Sequence, residues 1–443
     1  MIALAGCGGG GSGGSTSGGD GGSPTAGTIQ WWSWTPDNDV AERDIAEFNK
    51  QYPDIKVTYK KVPNADYTAV LRPALASDSG PDVFTMAAAG TVGPFDVFNP
   101  YAADLTPKVS ELLGSDWQSK VYATGVKAFS KDDKLKAMPF AKVAAGNMWI
   151  NPDMFDKYNV KVPTNLAEWQ QACQTFRSNG LGCFKEGIGA SGFDVDTFHS
   201  IVNSIEPGLY QQAATDQVKW TDPRLVQAWQ IFSDLQKDKI LDPGGVGVQQ
   251  YPDVNNAFLS GKVPMVQMGS WYAQYATVNS LTAALAGAGV PVDTAKVAIQ
   301  PISFPDVAGK GNPASLFTDP DAAQAVNSKS KSLNAATTFA LWLGGTTQGQ
   351  SNVANNVDSL PTLAGVQPAW NDIKLVNQKV QEPLLKDLYT KAADASEPRS
   401  QNLPAARFQA ISDANQAVLG GSKTPTEAAA DVQAAFDANP VGS

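Results

Sequence analysis

The only histidine of the 443-residue chain is His199, set among three cysteines and 43 acidic side chains. One imidazole cannot build a multi-histidine zinc centre, and a Ser-His-Asp triad would have to use this residue alone. A structural hydrogen bond is the role expected of it. Acid–base cleavage of a glycosidic bond needs two carboxylates about 5–10 Å apart across a cleft. Asp194 with Asp196, and Asp319 with Asp321, are the close pairs that loops could present, and such pairs are commonplace in turns. The sequence holds no Gly-x-Ser-x-Gly elbow, no Gly-x-x-x-x-Gly-Lys-Ser/Thr phosphate loop and nothing like an EF-hand. Neither a metal nor a cofactor is expected. The abundant chemistry is aromatic, with 11 Trp, 11 Tyr and 18 Phe.

These side chains need elements to position them. The length fits two or three domains. Net charge is −10, which argues against a nucleic acid or an anionic membrane surface as partner. Only 17% of residues are charged, so the surface is expected to rely on Ser, Thr, Asn and Gln. Thr28 to Trp34 reads as a buried strand. Asp39 and Glu42 offer a capping box, and Ala41, Ile45, Phe48 and Tyr52 follow at helical spacing until Pro53. Ile55, Val57 and Tyr59 alternate with polar residues as a half-buried strand. Asp66 to Ser77 reads as a helix, with Pro73 a source of kinking, and Asp82 to Ala87 as a short strand. This β-α-β-α-β order predicts a parallel sheet wrapped by helices, with ligands at the carboxyl ends of the strands. The loops after Trp34 and Met86 would then border a crevice. From about Pro139 to Pro305 helices and strands mix, and the last third is mostly helical.

Twelve of the 40 Gly fall within the first 27 residues, where a Gly/Ser run predicts a flexible tether. Just before it, Leu4-Ala5-Gly6-Cys7 resembles the lipobox of bacterial lipoproteins. That resemblance implies lipid on Cys7 and a signal-peptide remnant over 1–6, whose charged n-region lies upstream. It also implies export to the outer face of the cytoplasmic membrane. No apolar run of 18 residues follows, so the lipid would be the only membrane contact. In an oxidising space Cys173 and Cys183, ten residues apart around Gly180 and Gly182, are expected to form a disulfide. Two buried thiols are the alternative, and a metal pair would lack further ligands.

Several segments resemble the family 1 extracellular solute-binding proteins of ABC importers, a group that includes maltose-binding protein. Glu47-Phe48-Asn49-Lys50-Gln51-Tyr52-Pro53 with Ile55-Lys56-Val57 is similar to the family's first helix and second strand. Ser79-Gly80-Pro81-Asp82-Val83-Phe84 is similar to its third-strand entry. Trp149-Ile150-Asn151-Pro152-Asp153-Met154-Phe155 and the stretch from Pro163 to Trp169 follow in order. So do Phe258-Leu259-Ser260-Gly261-Lys262-Val263-Pro264-Met265 through Gly269-Ser270-Trp271, then Leu360-Pro361-Thr362, and Lys423 to Ala429. Together they span roughly 28–436. The resemblance implies an α/β fold of two interleaved lobes, 28–139 with 312–359 and 140–311 with 360–443, after a tail over 1–27. Crossings would fall near Pro139–Gly146, Gly309–Pro313 and Leu360–Thr362.

It also implies a monomer that binds a di- or oligosaccharide between its lobes and delivers it to ABC permease subunits, with no chemistry of its own. A polyol phosphate held by Arg399, or a secreted carbohydrate-active enzyme, are the other readings. A sugar offers flat C–H faces to aromatic rings and paired hydroxyls to carboxylates and amides. Trp271 aligns with the family's stacking Trp, with Tyr272 beside it. Trp34, Asp37 and Asn38 end the first strand at the crevice. Asn147 and Trp149 sit near a crossing, Phe193 and Asp194 in a loop after Gly192, Trp370 near the third crossing, and Arg399 in a Pro-bounded loop. The Ala87-Ala88-Ala89-Gly90-Thr91 loop departs from sugar-binding relatives, which often carry an acid or aromatic there. It would make room for a larger ligand or offer backbone N–H groups.

Overall fold

The computed structural model describes residues 21–77, 79–189, 192–292, 297–312 and 314–440. The expectations for residues 1–20, including the anchor at Cys7, and the joint residue Pro313 lie outside these.

β1 (Ala26–Ser33) pairs in parallel with β2 (Asp54–Lys61) and β3 (Val83–Met86). Ile29 and Trp31 of β1 are fully buried, and Phe48 of the helix Asn38–Gln51 packs edge-on against Phe339 and Trp342 of the helix Leu333–Gly345. The helix begins at Asn38, with Asp37 in the capping position, and Asp37 makes no cap hydrogen bond. The expected capping box is thus replaced: Asp39 binds Arg43 one turn on, and Asp37 is drawn to partners elsewhere.

A hairpin of β4 (Ser130–Lys131) and β5 (Lys134–Leu135) leads into β6 (Ala137–Ala145), and Gly146 breaks it from β7 (Asn147–Ile150). Gly146 has a φ of 97°, and a Cβ there would run into the Ser315 carbonyl, so only glycine fits. β7 belongs to a second sheet with β8 (Phe184–Lys185), β9 (Met265–Gln267) and β10 (Gln300–Ser303), in the order β10-β7-β9-β8. β11 (Phe317–Val326) returns to the first sheet, antiparallel to both β3 and β6, and β12 (Glu397–Pro398) pairs with its start.

Chain therefore crosses between the sheets side by side: β6 into β7, β11 beside it, and Leu360, whose N–H and C=O both bond to Lys142. β11 differs from the expected joint at 309–313. That loop instead wraps Asp306, whose carboxylate accepts the N–H groups of Gly309, Lys310 and Gly311. Residues 194–205 form a buried helix, Asp194–Ile205, rather than a loop.

One apolar core lies around the first sheet and includes Trp31, Tyr67, Phe84, Phe339 and Trp342. Two more flank the second sheet, one holding Trp169, Phe198, Trp229 and Phe436, the other Trp149, Phe258, Tyr272 and Tyr389. Cys173 of the helix Leu166–Ser178 and Cys183 before β8 form a buried disulfide, with Cα atoms 5.1 Å apart. No helix of the described residues is long and apolar enough to cross a membrane.

The bond closes a short loop, so it constrains the unfolded chain modestly. Replacing both cysteines by alanine is expected to lower the unfolding free energy by about 2–3 kcal/mol. Urea unfolding of the two proteins measures it, and coincident midpoints would refute the estimate.

Candidate ligand-binding cleft

A cavity of about 560 Å³ opens where the two sheets face each other. The first sheet supplies the segment after β1, including Trp34, Asp37 and Asn38, and the loop Ala87 to Val92 after β3. The other side supplies Phe193, Tyr251, Trp271, Gln274 and Tyr275, and the crossing region gives Asp319, Asp321 and Arg399.

Trp271 starts the 3-10 helix Ser270–Ala276 and is half-buried. Its Nε1 donates to the Tyr251 hydroxyl at 3.2 Å, and the Phe193 ring lies 6.2 Å away. The Arg399 guanidinium sits 4.9 Å from the Trp271 ring centroid, a cation–π contact. Trp34 is more enclosed, at 7% exposure. It packs edge-on against Tyr67 at 5.0 Å, and Gly93, with φ of 59°, lets the loop close over it. A Cβ on Gly93 would stand 2.9 Å from the Trp34 ring.

Asp37 bridges the two sides. It pairs with Lys61 and accepts the Tyr275 hydroxyl at 2.6 Å. Nearby, the Ser280 hydroxyl donates to Asp39 at 2.8 Å, and Arg43 reaches Ser280 at 3.3 Å. The start of the helix Asn38–Gln51 is thereby tied to the helix Val278–Gly287.

Arg399 is gripped by Asp196, whose two oxygens each accept a guanidinium N–H at 2.7 Å. That fork is the geometry a phosphate would need, and it is already filled. Asp319 accepts the backbone N–H groups of Arg399, Ser400 and Gln401 and the Ser400 hydroxyl. Asp321 differs: among the described residues its one partner is Arg399 Nη1 at 3.8 Å. Its place follows from a register shift, because pairing between β11 and β6 is interrupted between Asp319 and Ala322. Bulges of this kind re-aim side chains.

Burial raises the Asp321 carboxyl to about 6, with Arg399 opposing and Asp319 and Asp196 adding to the rise. Its side chain keeps 23% exposure, so water tempers that push. Burial, then the charge of Asp37, raises Asp358 to about 7.

Trp34, Asp37, Asn38, Phe193, Trp271 and Arg399 thus line the cavity, and the other expected site residues do not. Trp149 is fully buried on β7, donating to the Gly269 carbonyl at 3.0 Å and packed on Tyr272. Tyr272 is fully buried and donates to Asn255. Asp194 is fully buried, and Asn415 and Ser412 donate to it at 2.8 and 3.0 Å. Burial raises it to about 7, against those hydrogen bonds. Asn147 is buried beside its own strand, and Trp370 packs edge-on to Tyr389. These are corrections of place: all five lie outside the cavity lining. His199 does bear a structural bond, to Glu397 at 2.8 Å, between the rings of Tyr210 and Phe317.

Tyr251, Gln274, Tyr275 and Asp321 are cavity residues that the sequence reading did not assign to ligand. Gln274 and Tyr275 follow Trp271 by three and four positions, a spacing that was legible as one helical face. In the Ala87 loop, the Ala87 N–H is already bonded to the Gly93 carbonyl. The wall there offers space and methyl groups.

The family model described as bacterial extracellular solute-binding protein matches residues 31–350. A search of curated proteins finds no match. Among solved structures, the maltose-bound MalE3 of T. maritima is similar at a TM-score of 0.71 and 18% identity, covering 93% of this chain and 99% of that one. The GacH receptor of Streptomyces glaucescens, solved unliganded and with acarbose, is similar at 0.67 and 21%, covering 93% and 98%. A protein reported with xylan utilization by Caldanaerobius polysaccharolyticus is similar at 0.67 and 22%, covering 92% and 99%. At these identities the likeness is one of fold.

Asp321, Asp358 and Asp194 hold protons in the folded protein that the unfolded chain has already released above about pH 4. Binding more protons when folded means that stability falls as pH rises from about 4 to the folded values of about 6 to 7, and levels off above them. The thermal midpoint of ligand-free protein should therefore decline between about pH 4 and 7, less steeply in Asp358→Asn. A midpoint that is flat or rising over that range would contradict the assignment.

Proposed function

Because the chain belongs to the bacterial extracellular solute-binding protein family, we propose that it is the receptor of an ABC importer for a di- or oligosaccharide. The ligand lies between two lobes, 28–139 with 312–359 and 140–311 with 360–443, and closure forms the surface that the permease reads. Lipid on Cys7 holds the receptor at the outer face of the membrane.

The observation that carries this reading is the pairing of ring and acceptor in one cavity. Trp271 and Tyr251 offer apolar ring surface, and Asp321 has oxygens free to accept hydroxyls. C–H faces pack on the rings, and the carboxylate orients the ring edge. The carboxylates do not suit hydrolysis. Asp319, the expected partner of Asp321, already accepts from the backbone N–H groups of residues 399–401 and from the Ser400 hydroxyl.

A panel of neutral sugars screened by thermal shift tests the reading. A cognate sugar at a hundred times its dissociation constant adds about 2.7 kcal/mol of stability. Trp271→Ala is expected to weaken that sugar by about 30-fold, as for a central aromatic anchor. Stabilisation by phosphate esters alone would overturn the reading, as would undiminished affinity in the variant.

A further inference from the structure

The unspent hydrogen-bonding capacity of the cavity is lopsided. Among the described residues its cationic side chains are Lys61 and Arg399. Lys61 is committed to Asp37, and Arg399 gives Nε and Nη2 to Asp196. Arg399 is also the one cation facing three carboxylates, Asp196, Asp319 and Asp321. Three carboxylates against one cation leave an excess of acids in a site that water only partly reaches, and at neutral pH Asp321 lies above the value of about 6 to which burial raises it. An uncompensated charge in such a place is costly unless something else neutralises it.

A second, independent feature points the same way. Gln274 lines the cavity at 5% exposure, and among the described residues its Oε1 has no hydrogen-bond partner. Its Nε2 is already spent on the Trp271 carbonyl at 3.2 Å. A buried acceptor without a donor is rare in folded proteins and calls for one. Asp321, 23% exposed, has among the described residues one long ionic contact, to Arg399, and no hydrogen bond. The cavity thus waits for donors carrying positive charge, beside rings that suit a saturated ring.

We propose that the cleft selects an amine-bearing sugar, with Asp321 as counter-ion to the ligand's ammonium and Gln274 Oε1 as a further acceptor. This rests on the carbohydrate reading above and narrows its ligand class. An ammonium has donors and no lone pair, which matches what these two groups lack. A uronate or phosphate would bring charge of the sign already in excess.

The test is a panel of matched sugars measured by calorimetry at neutral pH. Each set holds a neutral sugar, its amino-deoxy counterpart and its uronate, as monosaccharides and as α- and β-linked disaccharides. The amine-bearing member of the cognate set should bind on the order of tenfold or more tighter than its neutral parent. Asp321→Asn should erase that ratio, and added salt should weaken the amine-bearing member selectively. The salt arm needs no variant, so a poorly folded substitution leaves the test intact. A neutral parent that binds as tightly as its amine overturns this inference and leaves the carbohydrate reading standing. A simple diamine that binds as tightly as the amino sugar overturns it too. If no sugar in any set binds, both fall together.

Discussion

Arg399 is the contact on which the cleft's arrangement depends. Its guanidinium sits against Asp196 from the helix Asp194–Ile205, Asp319 and Asp321 from β11, and the ring of Trp271. Without it those carboxylates would crowd one another in a poorly hydrated place. Its rigid fork can satisfy Asp196 through two bonds while its flat face lies on the indole, a combination a lysine cannot reproduce. The same residue's backbone closes the problem from the other side, since the N–H groups of residues 399–401 donate to Asp319. One short segment therefore fixes an acid, a ring and the start of the crossing strand.

That placement matters because β11 joins the two sheets. It pairs with β3 and β6 along its length and with β12 at its beginning. Motion between the sheets must bend these crossing strands, while contacts across the cleft form or break. The Asp37–Tyr275 bond and the Asp39–Ser280–Arg43 cluster are contacts of that kind. They involve residues of the two sides alone, so they would act on any ligand alike. Discrimination must then come from groups such as Asp321 and Gln274, whose capacity is still open.

The reach of the sequence can be judged from particular elements. The β-α-β-α-β start was legible because its apolar residues follow periods of two and 3.6 without interruption. β11 was not, because Thr318-Asp319-Pro320-Asp321 has the composition of a turn. Proline and two acids are poor strand formers, and they are tolerated here because pairing to β6 is interrupted at that point. The same composition that hid the strand marks the site. Trp149 and Trp271 illustrate a second limit. Trp271 was placed at the crevice by its family motif and Trp149 by lying near a crossing, but β7 is buried on both faces, so alternation could not say which way Trp149 points. The helix Asp194–Ile205 is buried at every position, and its acids hid the apolar period.

The cores explain why such a costly site is tolerable. The two sheets carry separate apolar clusters dense in Trp and Phe, which the cavity touches only at their margins, through Trp34, Tyr275 and Phe408. The cavity can therefore keep an acid that has, among the described residues, one distant partner and an amide oxygen that has none. In a small single core those groups would threaten folding, because net stability is only about 5–15 kcal/mol. Here the unsatisfied groups stand between two bodies that fold around other residues. Their cost falls on the relation between the bodies, which is the coordinate a ligand can move. A donor that satisfies Asp321 and Gln274 lowers the free energy of the arrangement in which both face it.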